Sequence, residues 1–572
     1  MYKQNTDELI EKKRAELQDA IALARHLLAD EGAETCPTDD AAELANLSLK
    51  EVIERLASRC YSAEQMLKAL CCNTIRAHGN CNCLTDLFLD EALARAKELD
   101  AMERPLGLLH GVPVSIKDNI DVRGRDTTMG MTSGIGKPLA EDALIVQLLR
   151  NAGAIIYAKT NVPQAITSPY TVNPVFGATN TPHNPALNAG GSSGGESALI
   201  AAGGSFLGVG NDMAGSLRIP AHFNGVYTFK PTSDRIPVFG SHIPGDGMEL
   251  LRITCGPIAR DVGALGLFMQ AMVDQEPWKM DPRCVPLPWK TVEAPQRMRI
   301  AYYVDLDNVP LSPACRRATM EALGALFAAG HELVEFHVPD IEQVTQIAYI
   351  ALTYDRSDEL ARFLGNDPVT ANIKQLQSYG KMWAIQRKFM AWRLQHYYKE
   401  PALARLLTVL TTKTHVEINE LVVLRDAYRR RFLAELDRQT TSADGRRVDV
   451  IVSPALHMPA MEYNTNTEVP FDLSYVILDN VLETPAGHVP VLKLDRTLDA
   501  QQDGVSWYGD GREIRLVEQE LRKMYKPDLM HGTPVGIQVA GCRFEDEHVL
   551  ACMHAIDTCI RAHQRNIDSR EQ

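Results

Sequence analysis

The 572-residue chain predicts an α/β protein, a parallel or mixed β-sheet with helices on its faces. Three observations predict it. Short β-branched runs alternate with helical stretches after Pro105, the same grammar returns near Arg299, and two long segments read as helix alone.

Taken in order, Thr6 to Leu28 carries apolar residues at Leu9, Ile10, Leu17, Ile21, Ala24 and Leu28, a helical spacing in a charged segment, with Thr6 or Asp7 as cap. Ser48 to Ser58 opens with Ser48 and Glu51 in capping-box register. Helices Ser62 to Ile75 and Thr85 to Leu99 follow. Val112 to Lys117 reads as a strand, Ala143 to Asn151 as a helix and Ala154 to Ala158 as the next strand, which is a βαβ unit. The later return consists of a strand at Arg299 to Val304, a helix from Ser312 to Ala329 and a strand near Leu333 to Phe336. Ile341 to Arg438 turns helical and charge-rich, as an inserted cover would. Val448 to Val452 and Val535 to Val539 read as returning core strands. One large domain over 1–572 fits best: an N-terminal helical layer (1–100), a core (101–340), a helical cover insertion (341–440) and a C-terminal return of the core (441–572).

Composition narrows the function. At 45% hydrophobic and 23% charged, the chain is neither collagen-like, coiled-coil nor wholly disordered. A net charge of −14 with no basic block argues against a nucleic-acid partner. Twelve cysteines are too few for a disulfide scaffold. The first residues lead into a charged helix rather than a signal peptide, and no apolar run has the length of a transmembrane segment. A reduced, cytoplasmic protein is expected.

Three segments carry chemistry. In His110 to Asn119, strand alternation sets Val112, Val114 and Ile116 on one face and Ser115 and Lys117 on the other. A solvated lysine is the ordinary reading; desolvated among these apolar neighbours, it would have a lowered pKa and serve as a neutral base. Gly190 to Ser197 is a Gly/Ser loop that reads as a linker, except that it feeds the apolar helix Ala198 to Ala202 and so suits an anion or oxyanion cradle. In Gly208 to Pro220, Ser216 follows small residues whose N–H groups could converge on an oxyanion, with Asp212 and Arg218 as a flanking ion pair; a tight turn before a helix is the plainer alternative.

Together these segments resemble the amidase signature family over nearly the whole chain. Gly190 to Pro220 is similar to the signature itself, with its two serines 24 residues apart as the family has them. Phe229 to Thr232, Gly256 to Arg260 and Gly532 to Gly541 are further matches. Thr160 to Gln164, Asn173 to Gly177, Glu276 to Trp278 and Asp281-Pro282 resemble the branch of acetamidases and fatty acid amide hydrolases. The resemblance implies a large mixed β-sheet core covered by helices on both faces. It also implies an amidohydrolase in which Lys117 is the base, Ser192 a bridging serine held by a cis peptide after Gly191, and Ser216 the nucleophile of an acyl-enzyme. The N–H groups of Met213, Ala214, Gly215 and Ser216 would hold the oxyanion, and Gly191, Ser193, Ile166 and Thr167 would contact substrate. Neither cofactor nor metal is implied. Met213-Ala214 stands where members usually carry Ile-Gly, and Asn211 replaces a more common Thr or Ser; Ala214 matters only if the loop needs a positive φ there.

By the same resemblance, Ala165 to Tyr170 and Phe239 to Leu250 would line the acyl pocket. Tyr349, Tyr354, Met382 and Trp383 are candidates to face it or to join the core. The partner is a small-molecule amide, whether small aliphatic, aryl or fatty acyl. A homodimer is the base-rate expectation.

Rival readings exist. Gly191 to Gly195 satisfies the G-x-S-x-G elbow of serine esterases with Ser193 as nucleophile, but Pro182 to Ala189 reads as loop where that elbow needs a buried strand. Cys71, Cys72, His78, Cys81 and Cys83 cluster without the spacing of a zinc site. The chain could also be the amidase subunit of a transamidating complex. His222, six residues beyond Ser216 on the same helix, reads as structural, and Asp118-Asn119 as a brace for the loop around Lys117.

Overall fold

The computed structural model describes residues 2–29, 47–244, 247–353, 356–463, 472–509 and 511–571. In chain order its strands begin with β1 (Leu84–Leu87), β2 (Pro113–Lys117) and β3 (Ile155–Thr160). Two small hairpins follow, β4 (Val172–Asn173) with β5 (Gly177–Ala178) and β6 (Asn180–Thr181) with β7 (Asn184–Asn188). Then come β8 (Leu207–Asp212), β9 (Tyr227–Lys230), β10 (Thr254–Ala259), β11 (Arg299–Tyr302) and β12 (Glu332–Glu335). The last are β13 (Val450–Pro454), β14 (Ala486–Lys493) and β15 (Pro534–Ala540).

Eleven of these form one mixed sheet in the order β1-β3-β2-β8-β10-β9-β14-β15-β13-β11-β12. The expected βαβ unit is present: β2 and β3 are parallel neighbours joined through the helix Leu144–Asn151, and β8 adds in parallel to the other side of β2. The later unit gives a second parallel patch, β13-β11-β12, joined to the rest by antiparallel pairings of β15. All five β2 residues are buried, as are all six of β3 and of β8, so the strands that build the site have no solvent face.

The N-terminal helix, Tyr2–Ala29, buries Ile10, Leu17, Ile21 and Ala24 against its own chain. Arg14 Nε donates to the Val175 carbonyl at 2.7 Å, and Lys13 pairs with Asp126 at 2.7 Å. The next helix, Leu49–Ala57, starts at the expected capping box of Ser48 and Glu51. The following one runs on to Cys81, where Asn82 adopts a left-handed φ of 53° and reverses the chain.

One expected helix start is corrected there. Thr85 lies in strand β1, which pairs antiparallel with β3, and the helix begins only at Leu89. Pairing with a sheet edge outweighs the local helical spacing. The expected all-thiol state is also corrected, because Cys72 is disulfide-bonded. His78 Nδ1 accepts the Leu84 N–H at 3.1 Å, so that imidazole braces the β1 turn. Among the described residues, no helix is long and apolar enough to cross a membrane.

Candidate active site

Parallel pairing of β2 with β8 brings both strands out at the same edge of the sheet, with Lys117 ending β2 and Asn211-Asp212 ending β8. Between them the Gly/Ser loop leads into the helix Gly194–Ala201, and the loop after β8 leads through Ser216 into the helix Arg218–Asn224. The peptide bond Gly191-Ser192 is cis, as expected.

Lys117 is fully buried, and its Nζ lies 2.8 Å from Ser192 Oγ. The same nitrogen lies 2.7 Å from Asn211 Oδ1 and 3.4 Å from the Asn211 carbonyl. Burial brings its pKa down to about 7, against the opposing pull of Asp212, Cys255 and Glu196. Glu196, also buried, accepts from Ser115 at 2.6 Å and Thr160 at 2.8 Å, and its pKa is lifted to about 8 by desolvation.

The turn that presents Ser216 is built on Asp212. Its carboxylate accepts the Gly215 N–H at 2.8 Å and the Leu217 N–H at 3.2 Å, and the expected ion pair with Arg218 is made at 3.1 Å. Arg218, wholly buried, also reaches Asp479, Asn480 and Gln538. Despite burial, the Arg218 charge and these hydrogen bonds hold the Asp212 carboxyl far below the ordinary range. Gly215 has φ +96°, and a Cβ there would meet Val476 Cγ2 at 2.5 Å, so this position requires glycine. Ala214 is not among the described non-glycine residues with positive φ, so the departure at that position costs no backbone strain. The Gly215 N–H is thus already taken by Asp212.

A cavity of about 220 Å³ opens at this edge. Gly191, Ser192, Asn211, Met213, Ala214 and Ser216 line it, as do Ile166 to Tyr170. Ala165 instead joins a small cluster with Met129 and Met131. Of the loop expected at 239–250, Ile243 and Pro244 reach the cavity, whereas Phe239 is 65% exposed. Tyr349 and Leu352 of the helix Ile341–Thr353, with Leu403 and Leu406 of the helix Pro401–Val409, also line the cavity. Met382 packs beside Ala391 and Leu394, the core alternative, whereas Trp383 is 76% exposed and does neither, so it is corrected. Tyr354 lies outside the described residues. Sequence reasoning missed Leu473, Leu521 and Met524, which also line the cavity from near the C-terminus.

Ser193 heads its helix fully buried, and a Cβ on Gly210 would meet its Oγ at 2.6 Å. The segment before it holds only the short hairpin strand β7, outside the main sheet. Both points oppose the elbow reading. His222 is buried, accepts the Gly536 N–H at 3.3 Å and packs edge-on against His488, as a structural histidine does. Asp118 accepts the Thr128 N–H and hydroxyl, and Asn119 Nδ2 donates to the His242 carbonyl at 2.8 Å, so that pair braces the loop as expected.

The sequence profile of the family described as Amidase matches residues 65–550. The chain belongs to the amidase signature family. It is similar to Amidase 1 of Gibberella moniliformis, 31% identical over 91% of this chain and 94% of that one. It is likewise similar to fatty-acid amide hydrolase 1 of Sus scrofa, 32% identical over 91% of this chain and 87% of that one. Among solved structures, a fatty acid amide hydrolase superposes with a TM-score of 0.83 at 27% identity, covering 97% of this chain and 95% of that one. This amidase-family chain is an amide hydrolase.

Proposed function

We propose that the chain hydrolyses carboxylic amides through a Ser216–Ser192–Lys117 relay and an acyl-enzyme on Ser216. The observation that carries this reading is the buried lysine, its pKa brought down to about 7, lying 2.8 Å from Ser192, with both serines lining one cavity. Neutral Lys117 takes the Ser192 proton as Ser192 takes that of Ser216, and Ser216 Oγ attacks the amide carbon. The N–H groups of Met213, Ala214 and Ser216 stabilise the oxyanion. As the C–N bond breaks, Ser192 protonates the departing amine and recovers a proton from Lys117. Water then adds to the acyl carbon by the reverse relay and releases the carboxylic acid.

An alkyl fluorophosphonate tests the nucleophile. The expected result is a single covalent adduct mapping to Ser216 in the digested protein. An adduct on Ser193 instead would overturn the mechanism.

The cavity also favours a substrate class. Its walls from the cover and the C-terminal segment are mainly apolar, and its volume far exceeds what an acetyl group fills. Each buried methylene is worth about 0.8 kcal/mol, or about fourfold in transition-state binding. Across acyl p-nitroanilides from acetyl to octanoyl, kcat/KM is expected to climb by about that factor per carbon over the first few carbons. A maximum at acetyl would assign the chain a small-amide role, such as the acetamidase name of its Aspergillus oryzae relative suggests.

A further inference from the structure

Asn211 is one of the positions at which this chain departs from the residues its resemblance leads one to expect, and it touches Lys117 directly. Three oxygens surround Lys117 Nζ: Ser192 Oγ at 2.8 Å, Asn211 Oδ1 at 2.7 Å and the Asn211 carbonyl at 3.4 Å. A neutral amine has two N–H donors and one lone pair to distribute among them. Both oxygens of Asn211 are carbonyl oxygens and can only accept. Ser192 alone carries a hydroxyl proton to give.

We propose that Asn211 is a positioning residue that orients the catalytic lysine, taking both of its N–H groups and so turning its lone pair onto the Ser192 hydroxyl. The inference rests on the relay reading above and adds to it a residue that never meets the transferred proton.

The amide must present its oxygen rather than its nitrogen to Nζ, and the structure holds it that way round. Asn211 Nδ2 donates to Asn119 Oδ1 at 3.1 Å, and Asn119 Nδ2 donates in turn to the His242 carbonyl at 2.8 Å. The His242 N–H returns to the Asn119 carbonyl at 2.8 Å, and its ring pairs with Asp121 at 2.7 Å. A chain of two amides tied to backbone thus fixes the polarity of the contact. All three of Lys117, Asn119 and Asn211 are buried. A threonine or serine hydroxyl at 211 could accept from the lysine as well, but it could also donate to the lone pair. Asparagine removes that ambiguity.

The test is the pH profile of kcat and KM for Asn211→Leu, Asn211→Thr and Asn211→Asp, read beside Lys117→Ala. The titratable groups facing Lys117 are Glu196 from the Gly194–Ala201 helix, Asp212 from β8 and Cys255 from β10. All three are retained in every Asn211 variant, so the shifts compare like with like. Asn211→Leu removes the side-chain acceptor and is expected to lower kcat about 100-fold with KM within threefold. Asn211→Thr restores an acceptor and is expected to recover to within tenfold of the native rate. Asn211→Asp sets a carboxylate beside the amine, favours the ammonium, and should move the acidic limb up by at least one pH unit, with rate returning in alkali. Should Asn211→Leu fail to fold, the Asp and Thr variants decide alone. An Asp variant whose limb stays at the native pH, or a folded Leu variant within threefold of native kcat, overturns the inference. If Lys117→Ala is inactive while the Asn211 variants behave as native, only the positioning role falls. If Lys117→Ala is fully active, the relay falls with it.

Discussion

Replacing Ser216 by alanine is expected to reduce amide hydrolysis about 10⁶-fold, the scale on which loss of a serine nucleophile is felt. The expected residue of activity comes from whatever binding and oxyanion stabilisation the loop still provides. The substitution should leave the turn intact, because its shape does not depend on the Ser216 side chain. The Gly215 and Leu217 N–H groups are held by Asp212, and the Ser216 carbonyl accepts from the Ser193 N–H at 3.1 Å. Single-turnover kinetics on an acyl anilide, with thermal unfolding as the control, measures both. A folded Ser216→Ala protein retaining a tenth of native turnover would require a different nucleophile.

The second large effect is at the base. Lys117→Ala is expected to lower the rate about 10²–10⁴-fold, the range of a general base in the transition state. The pH dependence has a definite sign. The amine must be unprotonated to act, and burial sets its pKa at about 7. Native kcat/KM should therefore rise as pH passes through about 7 and level off above it, the limb belonging to free enzyme. In Lys117→Ala that limb should vanish, leaving a low rate that keeps rising with hydroxide. A native limb centred near 10, where an ordinary lysine titrates, would show that Nζ is solvated in the working enzyme.

Much of the site was legible before the fold. A lysine inside an apolar strand run, a Gly/Ser loop opening an apolar helix and a small-residue turn before Arg218 each stood out by composition. The structure then set them at one sheet edge. Strand β8 was not legible as a strand, because Gly208 and Gly210 argue against one locally. Both prove necessary for close approach: a Cβ on Gly208 would collide with Glu196, and one on Gly210 with Ser193. Strands β10 and β14 were hidden for a related reason, since each contains a proline, Pro257 and Pro490, where central strands normally do not. In β14 the register with β15 shifts just past that proline. The helical cover was visible by periodicity, but which side chains enter the cavity was not. An amphipathic stripe tells that Leu406 or Met524 is buried, and says nothing about which groove it faces. Asn211 drew notice only as an unusual residue; its partner Lys117 is 94 positions away.

The buried arginine behind the Ser216 turn sets a schedule for making the enzyme. Arg218 is satisfied only when it meets Asp479, Asn480 and Gln538, the last 320 residues downstream on a strand inserted mid-sheet. At a translation rate of about 5–20 residues per second, a nascent chain waits roughly 15–60 s between emergence of that guanidinium and arrival of its final partner. During that interval the half-sheet carrying Lys117, Ser192 and Ser216 has an open edge at β9, where β14 will later dock. The Ser216 turn is thus completed late, by residues far along the polypeptide. Chains released early from the ribosome should accumulate as unfinished clients of chaperones rather than as partly active amidase.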